Sequence, residues 1–101
     1  GGALYVSGQL PIDGATQKMA EGIEAQTRQS LTNLRHILEE AGYTLGDVVK
    51  TTVFLTDMGA FAAVNAVYAK YFEGDCPARS AVQVGALPKG ALVEIDAVAV
   101  K

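Results

Sequence analysis

Residues 76–84 read Cys-Pro-Ala-Arg-Ser-Ala-Val-Gln-Val, and they complete the unit that decides the fold. The pattern predicts a buried strand over 78–84, in which alternation places Arg79, Ala81 and Gln83 on one face. A guanidinium group stays charged at ordinary pH and binds a carboxylate through two parallel hydrogen bonds. An arginine inside this strand therefore needs either a structural partner or a ligand.

The segments that precede this strand predict a βαβ unit. Residues 48–56 are rich in β-branched residues and apolar on both faces, as expected of a central strand. A helix is predicted over residues 58–72, with Thr56 or Asp57 as its cap. Its apolar stripe consists of Phe61, Val64, Tyr68 and Phe72. The order strand, helix, strand predicts that the two strands are parallel.

The remaining elements complete a single α+β domain over residues 1–101. A first strand contains the run Ala3–Val6 and ends at Ser7-Gly8, and a turn-rich connection follows. A long helix is predicted over 21–42, and a last strand over 91–100. The helix has apolar positions at steps of three and four, namely Ile23, Thr27, Leu31, Leu34, Leu38 and Ala41.

Glu94 is the second unusual residue, because it lies within the largely apolar last strand. Acidic side chains are rarely buried unless they are paired or functional. One interpretation is structural: Arg79 and Glu94 form an ion pair, or they lie at an edge of the sheet that is exposed to water. In the other interpretation the two residues have separate roles in a reaction. Arg79 holds a substrate carboxylate, while Glu94 positions a water molecule or exchanges a proton.

Composition excludes several classes of function. Half of the 101 residues are apolar and the net charge is −3, with lysines and arginines scattered, so nucleic acid is an unlikely partner. No apolar run spans a membrane and no export signal is visible, so we expect a cytoplasmic protein. Cys76 and His36 are single residues, which predicts neither a disulfide nor a metal site nor a histidine-based triad.

Several motifs taken together resemble the reactive intermediate deaminase (Rid, or YjgF) family over nearly all of the chain. They are Ser7-Gly8-Gln9-Leu10-Pro11, residues 26–34 and 47–54, Val64-Asn65-Ala66-Val67-Tyr68, Pro77-Ala78-Arg79-Ser80, Leu87-Pro88-Lys89 and Glu94-Ile95. The resemblance implies a chorismate mutase-like fold, with two helices on one face of a mixed sheet. It also implies a homotrimer with sites between subunits.

The activity implied by the resemblance is hydrolysis of 2-imino and 2-enamino acids, such as 2-aminoacrylate and 2-iminobutanoate, to 2-keto acids and ammonia without a cofactor. By the same resemblance Arg79 grips the carboxylate, and Glu94 positions water and handles protons. The pocket is then lined by Ser7, the backbone of Gly8, Asn65, and the main chain near Ala81.

The chain departs from the family pattern at two points that concern the site. A preceding segment with a first strand and a pocket tyrosine is absent from this sequence, so we expect one sheet edge to be uncovered. Ala81 stands where many members have cysteine.

Interpretations of the sequence other than an enzymatic function remain open. Ser7-Gly8 and Asn65 are also compatible with a plain strand end and a helix-surface amide. The chain as a whole is compatible with a non-catalytic trimeric module that binds small carboxylates or proteins. A role in RNA binding or cleavage, with which the family has been linked, is disfavoured by the acidic balance.

Overall fold

The computed structural model describes residues 2–101, which form a mixed four-stranded sheet and two helices. The strands are β1 (Ala3–Gln9), β2 (Val48–Leu55), β3 (Ala78–Gln83) and β4 (Val93–Val100). They lie in the order β1-β4-β2-β3. β4 is antiparallel to both of its neighbours, whereas β2 and β3 are parallel. The predicted βαβ unit and the central position of β2 are therefore confirmed.

Two helices connect the strands. α1 (Ile23–Glu40) follows β1, and α2 (Phe61–Tyr71) joins β2 to β3. The helix predicted over 21–42 is shorter at both ends. Ala41, which we expected on the apolar stripe, is exposed at the C-terminal cap, and Gly42 ends the helix with φ of 82°.

Before α2, residues Met58–Ala60 form a 3₁₀ turn, so the α-helix begins later than predicted. The Asp57 carboxylate caps this turn by accepting a hydrogen bond from the Gly59 N–H at 2.8 Å. No helix in residues 2–101 is both long and apolar enough to cross a membrane.

The core lies between the helices and one face of the sheet. Alternate residues of β2 and β4 point into it, and α1 contributes a fully buried leucine stripe. Its fully buried side chains include Leu31, Leu34, Leu38, Val53, Leu55, Val93 and Ile95. This arrangement confirms the predicted periodicity of α1 and β4.

The other face of the sheet, called the open face below, has no helix packed on it in the described part of the chain. It carries polar side chains such as Lys50, whose Nζ donates to Ser80 Oγ at 2.7 Å, and exposed apolar ones. Tyr5 is 78% exposed there and Val82 is 40% exposed. These two side chains lie on the two edge strands of the sheet, Tyr5 on β1 and Val82 on β3.

The prediction that 78–84 is a buried strand is wrong. β3 is an edge strand with β2 as its one neighbour, and most of its residues are exposed. An edge strand has a partner on one side only, so its small and polar residues remain in contact with solvent. The predicted alternation nevertheless holds, because Arg79 pairs with the buried Thr51 and Ala81 with the buried Val53.

Candidate functional site

Arg79 is held by one face of α2. Its Nη1 donates a hydrogen bond to Asn65 Oδ1 at 2.7 Å. Its Cζ lies 5.0 Å from the centre of the Phe61 ring and 4.6 Å from that of Tyr68. Residues 61, 65 and 68 share a helix face because they are spaced by four and three. The guanidinium is thus fixed between two aromatic rings and an amide, a cation–π arrangement.

Tyr68 is in turn held by Thr51 of β2. It is 5% exposed, and its hydroxyl lies 2.7 Å from Oγ1 of the fully buried Thr51. Burial raises the pKa of Tyr68, a change opposed by the hydrogen bond to Thr51 and by the positive charge of Arg79. The phenol is therefore neutral at physiological pH, which suits a hydrogen-bonding and stacking role.

A groove of about 360 Å³ opens beside the guanidinium. It is lined by Asn65, Tyr68, Ala69, Phe72, Cys76, Pro77 and Arg79. Its surface is slightly more polar than apolar, and the Asn65 amide and the Arg79 guanidinium are among its lining groups, which suits a small polar ligand. A larger open depression of about 550 Å³ beside His36, Glu39 and Glu40 contains none of the predicted site residues.

Ala81 lies two residues beyond Arg79 on the same face of β3. The Val84 N–H donates to Leu55 O at 2.8 Å and so points toward β2. Since successive amides of a strand point to opposite sides, the Ala81 N–H points away from β2. A main-chain donor is thus available beside Arg79 at the outer edge of the sheet.

Glu94 belongs to a second cluster, on the open face. A register shift between Val6 and Gln9 makes Ser7 and Gly8 together oppose one residue of β4, which is a β-bulge. The bulge brings Gly8 against Glu94, so that a Cβ at Gly8 would collide with Oε2 and lie 2.6 Å from Cδ. Ser7 is exposed beside Gly8.

The two clusters do not meet within one chain. Arg79 pairs with Thr51, which faces the helices, whereas Glu94 pairs with Phe54, which lies three residues beyond Thr51 on β2 and on the opposite face. β2 also separates their strands, so the two backbones lie about 10 Å apart. The first form of the structural interpretation, an ion pair between Arg79 and Glu94 inside the chain, is therefore wrong, whereas the strand that carries Arg79 does lie at an edge of the sheet.

Sequence reasoning missed three features of this region. Phe61 and Tyr68 were assigned to the core stripe, although their rings also contact Arg79. Their spacing from Asn65 was the signal that could have revealed it. The only sign of the bulge at Ser7-Gly8 in the sequence is the glycine itself. Cys76 was considered only as a disulfide or metal ligand, although it lines the groove.

With the fold and these two clusters described, comparison with known proteins identifies the family. The model of the Endoribonuclease L-PSP family matches residues 1–101, so the chain belongs to that family, and its resemblance to the Rid (YjgF) proteins is confirmed. The two helices on a mixed sheet are consistent with the chorismate mutase-like fold of these structures, the TM-score to the Escherichia coli YjgF gene product being 0.96.

Individual relatives are similar over the whole chain. A RutC family protein of Pyrococcus horikoshii is 53% identical, with 100% of this chain and 81% of that protein covered. The 2-iminobutanoate/2-iminopropanoate deaminase of Salmonella typhimurium is 48% identical, with the same coverage. The structure of Escherichia coli TdcF with bound serine has a TM-score of 0.96 and 40% identity, covering 100% of this chain and 82% of that one.

Proposed function

We propose that this protein hydrolyses 2-imino and 2-enamino acids, such as 2-iminobutanoate, to 2-keto acids and ammonia. The observation that carries the proposal is the immobilised Arg79, whose side-chain hydrogen bond goes to a neutral amide and which has a groove beside it. A charge held in this way is ready to bind an anion. The name of the Salmonella relative and the serine bound to TdcF support a substrate with an amino-acid-like carboxylate.

The chemistry assigned to the site is addition of water to a carbon–nitrogen double bond. Arg79 holds the carboxylate and so fixes C2 of the imine. Glu94 takes a proton from water as the water oxygen bonds to C2, giving a carbinolamine. Glu94 returns that proton to the imine nitrogen as the carbinolamine forms. The hydroxyl proton of the carbinolamine is then transferred to the nitrogen, the C–N bond breaks, and the C2 carbonyl forms as ammonia leaves. Imine and water thus yield 2-keto acid and ammonia, with no change of oxidation state.

The separation of Arg79 from Glu94 leads us to propose that the site is completed by another copy of the chain. One chain contributes Arg79, Asn65 and the Ala81 amide from its β3 edge. Its neighbour contributes Glu94, Ser7 and the Gly8 backbone from its open face. A homotrimer, as the resemblance implies, closes such a ring of heterologous contacts. Tyr5 and Val82 are exposed apolar side chains on the open face that a neighbouring chain could cover.

The experiment that tests the activity measures 2-oxobutanoate release from 2-iminobutanoate generated in place by a dehydratase. We expect the wild-type chain to accelerate release above the spontaneous rate. Arg79→Ala should lose the acceleration, since the carboxylate is no longer held. Arg79→Lys should keep little of it, because an ammonium group lacks the planar fork. Lys70→Ala, which removes an exposed cation from α2, is the matched control and should behave as wild type.

Glu94→Gln separates catalysis from binding. Loss of a general base costs about 10²- to 10⁴-fold in rate, and the amide preserves the shape of the side chain. We expect kcat to fall within that range while 2-oxobutanoate, the product, still binds. An undiminished kcat in Glu94→Gln would remove Glu94 from the mechanism.

A second candidate is a module that binds small carboxylates without turnover. It is favoured by the location of Arg79, Asn65 and the groove in one chain, while Glu94 lies on the other face of the sheet. A wild-type protein that binds 2-oxobutanoate but leaves 2-iminobutanoate hydrolysis at its spontaneous rate would establish this alternative.

A further inference from the structure

Beneath Arg79 lies a pair of hydroxyl groups that no step of the proposed reaction uses. Tyr68 OH and Thr51 Oγ1 are 2.7 Å apart, in side chains that are 5% and 0% exposed. Buried hydroxyl groups are costly to leave without partners, so each depends on the other. The pair therefore fixes where the Tyr68 ring lies.

The position of that ring determines the surface on which the guanidinium rests. Thr51 is the direct β-sheet neighbour of Arg79, and the Tyr68 ring lies 4.6 Å from Arg79 Cζ. Thr51 thus anchors the aromatic ring that contacts the arginine on the adjacent strand. The Tyr68 ring also packs on Phe72 with a centroid distance of 4.7 Å, which limits its movement on another side.

The other contacts of Arg79 determine which atoms it offers to a ligand. Asn65 accepts from Nη1, and the Phe61 ring lies 5.0 Å from Cζ. Nη2 and Nε make no hydrogen bond within residues 2–101, so this pair can form the two parallel hydrogen bonds that a carboxylate makes with a guanidinium. A rotation of the guanidinium plane would misdirect that pair.

We propose that Tyr68 is a positioning residue for Arg79 and that the buried Thr51 hydroxyl sets the position of the Tyr68 ring. The proposal rests on the proposed function, since the anion that Arg79 binds is taken to be the substrate carboxylate. Tyr68 acts through Arg79 and takes no part in proton transfer.

The test measures the Kd of 2-oxobutanoate by calorimetry, together with KM and kcat for 2-iminobutanoate. Tyr68→Phe keeps the ring and removes its hydroxyl, and Thr51→Val removes the other hydroxyl at nearly constant volume. We expect each to raise Kd and KM about three- to tenfold, with kcat within about twofold of wild type. The double variant should show no larger effect, because the two hydroxyls act as one unit. Thr51→Ser, which keeps the hydroxyl, should bind as wild type does.

A second tyrosine on α2 provides a matched control. Tyr71 OH lies 3.0 Å from Thr32 Oγ1, and Arg35 Cζ lies 5.5 Å from the Tyr71 ring. The arrangement repeats that of Tyr68 with an arginine that is outside the groove. Tyr71→Phe should therefore leave Kd and KM unchanged, whatever it does to the melting temperature.

The outcomes distinguish this proposal from the proposed function. Folded Tyr68→Phe and Thr51→Val proteins that bind 2-oxobutanoate within twofold of wild type would overturn the positioning role, as would an equal loss in Tyr71→Phe. If Thr51→Val does not fold, the Kd and KM values of Tyr68→Phe and Thr51→Ser decide whether the positioning role holds. Weakened binding in the variants of a protein without turnover would uphold the positioning role and overturn the deaminase. A wild-type chain that neither binds 2-oxobutanoate nor accelerates its release would overturn both.

Discussion

At the scale of single residues, Gly8 offers a way to displace Glu94 without altering its chemistry. Any Cβ at position 8 would collide with the Glu94 carboxylate, so Gly8→Ala forces that side chain to move. Because misplacement of a catalytic group by about 1 Å can cost 10²-fold in rate, we expect kcat for 2-iminobutanoate to fall about 10- to 100-fold. The Kd of 2-oxobutanoate should change little, since Arg79 is untouched.

The control for this prediction is Gly14→Ala, where an added Cβ would meet no atom within 4 Å and the backbone φ is not positive. It should retain wild-type kcat. If Gly8→Ala also retains wild-type kcat, with a melting temperature close to that of wild type, then the Glu94 carboxylate does not act from the position seen beside Gly8.

At the scale of elements, the sequence predicted local periodicity well and long-range register poorly. The steps of three and four in α1 and the alternation in β4 are local patterns, and the structure confirms both. The relation between Arg79 and Glu94 depends on how β2 pairs with β3 and β4 at once. That pairing joins residues far apart in the chain, so no window of sequence contains it. The bulge at Ser7-Gly8 was missed for the same reason.

Gln26 joins α1 to the segments that precede α1 and β4, and we expect its loss to lower the stability of the fold. Its side chain is 5% exposed, accepts from the Leu92 N–H at 2.8 Å and donates to Ala20 O at 3.1 Å. Gln26→Leu leaves both main-chain groups without these partners, at a cost of about 1–3 kcal/mol for each group left unsatisfied. We expect the melting temperature to fall by roughly 8 °C or more. Thermal unfolding checks this, with the exposed Glu24→Leu on the same helix as control.

A loss in Gln26→Leu no greater than that in Glu24→Leu would mean that water replaces the amide at Leu92 and Ala20. The comparison matters because Leu92 immediately precedes β4, the strand that carries Glu94. Loss of the two Gln26 hydrogen bonds should therefore lower the activity as well, in proportion to the fraction of folded protein.

At the scale of the whole molecule, the separation of Arg79 and Glu94 on opposite faces of the sheet makes a quantitative prediction about mixed assemblies. Arg79→Ala and Glu94→Gln should each be inactive alone. If each site takes Arg79 from one chain and Glu94 from the next, a site is intact where a Glu94→Gln chain supplies Arg79 and an Arg79→Ala chain supplies Glu94. Random assembly of equal amounts should restore about a quarter of the wild-type activity.

The mixing experiment unfolds the two variants together in denaturant, refolds them and compares 2-oxobutanoate release with that of wild type treated in the same way. The same variants refolded separately and then combined serve as the control, and they should remain inactive until subunits exchange. Recovery near a quarter requires sites shared between chains. If co-refolded variants form mixed oligomers, as a mass tag on one of them would reveal, and yet recover no activity, both residues act within a single chain. Arg79 and Glu94 would then have to reach each other around the edge of the sheet, and the composite site would be wrong.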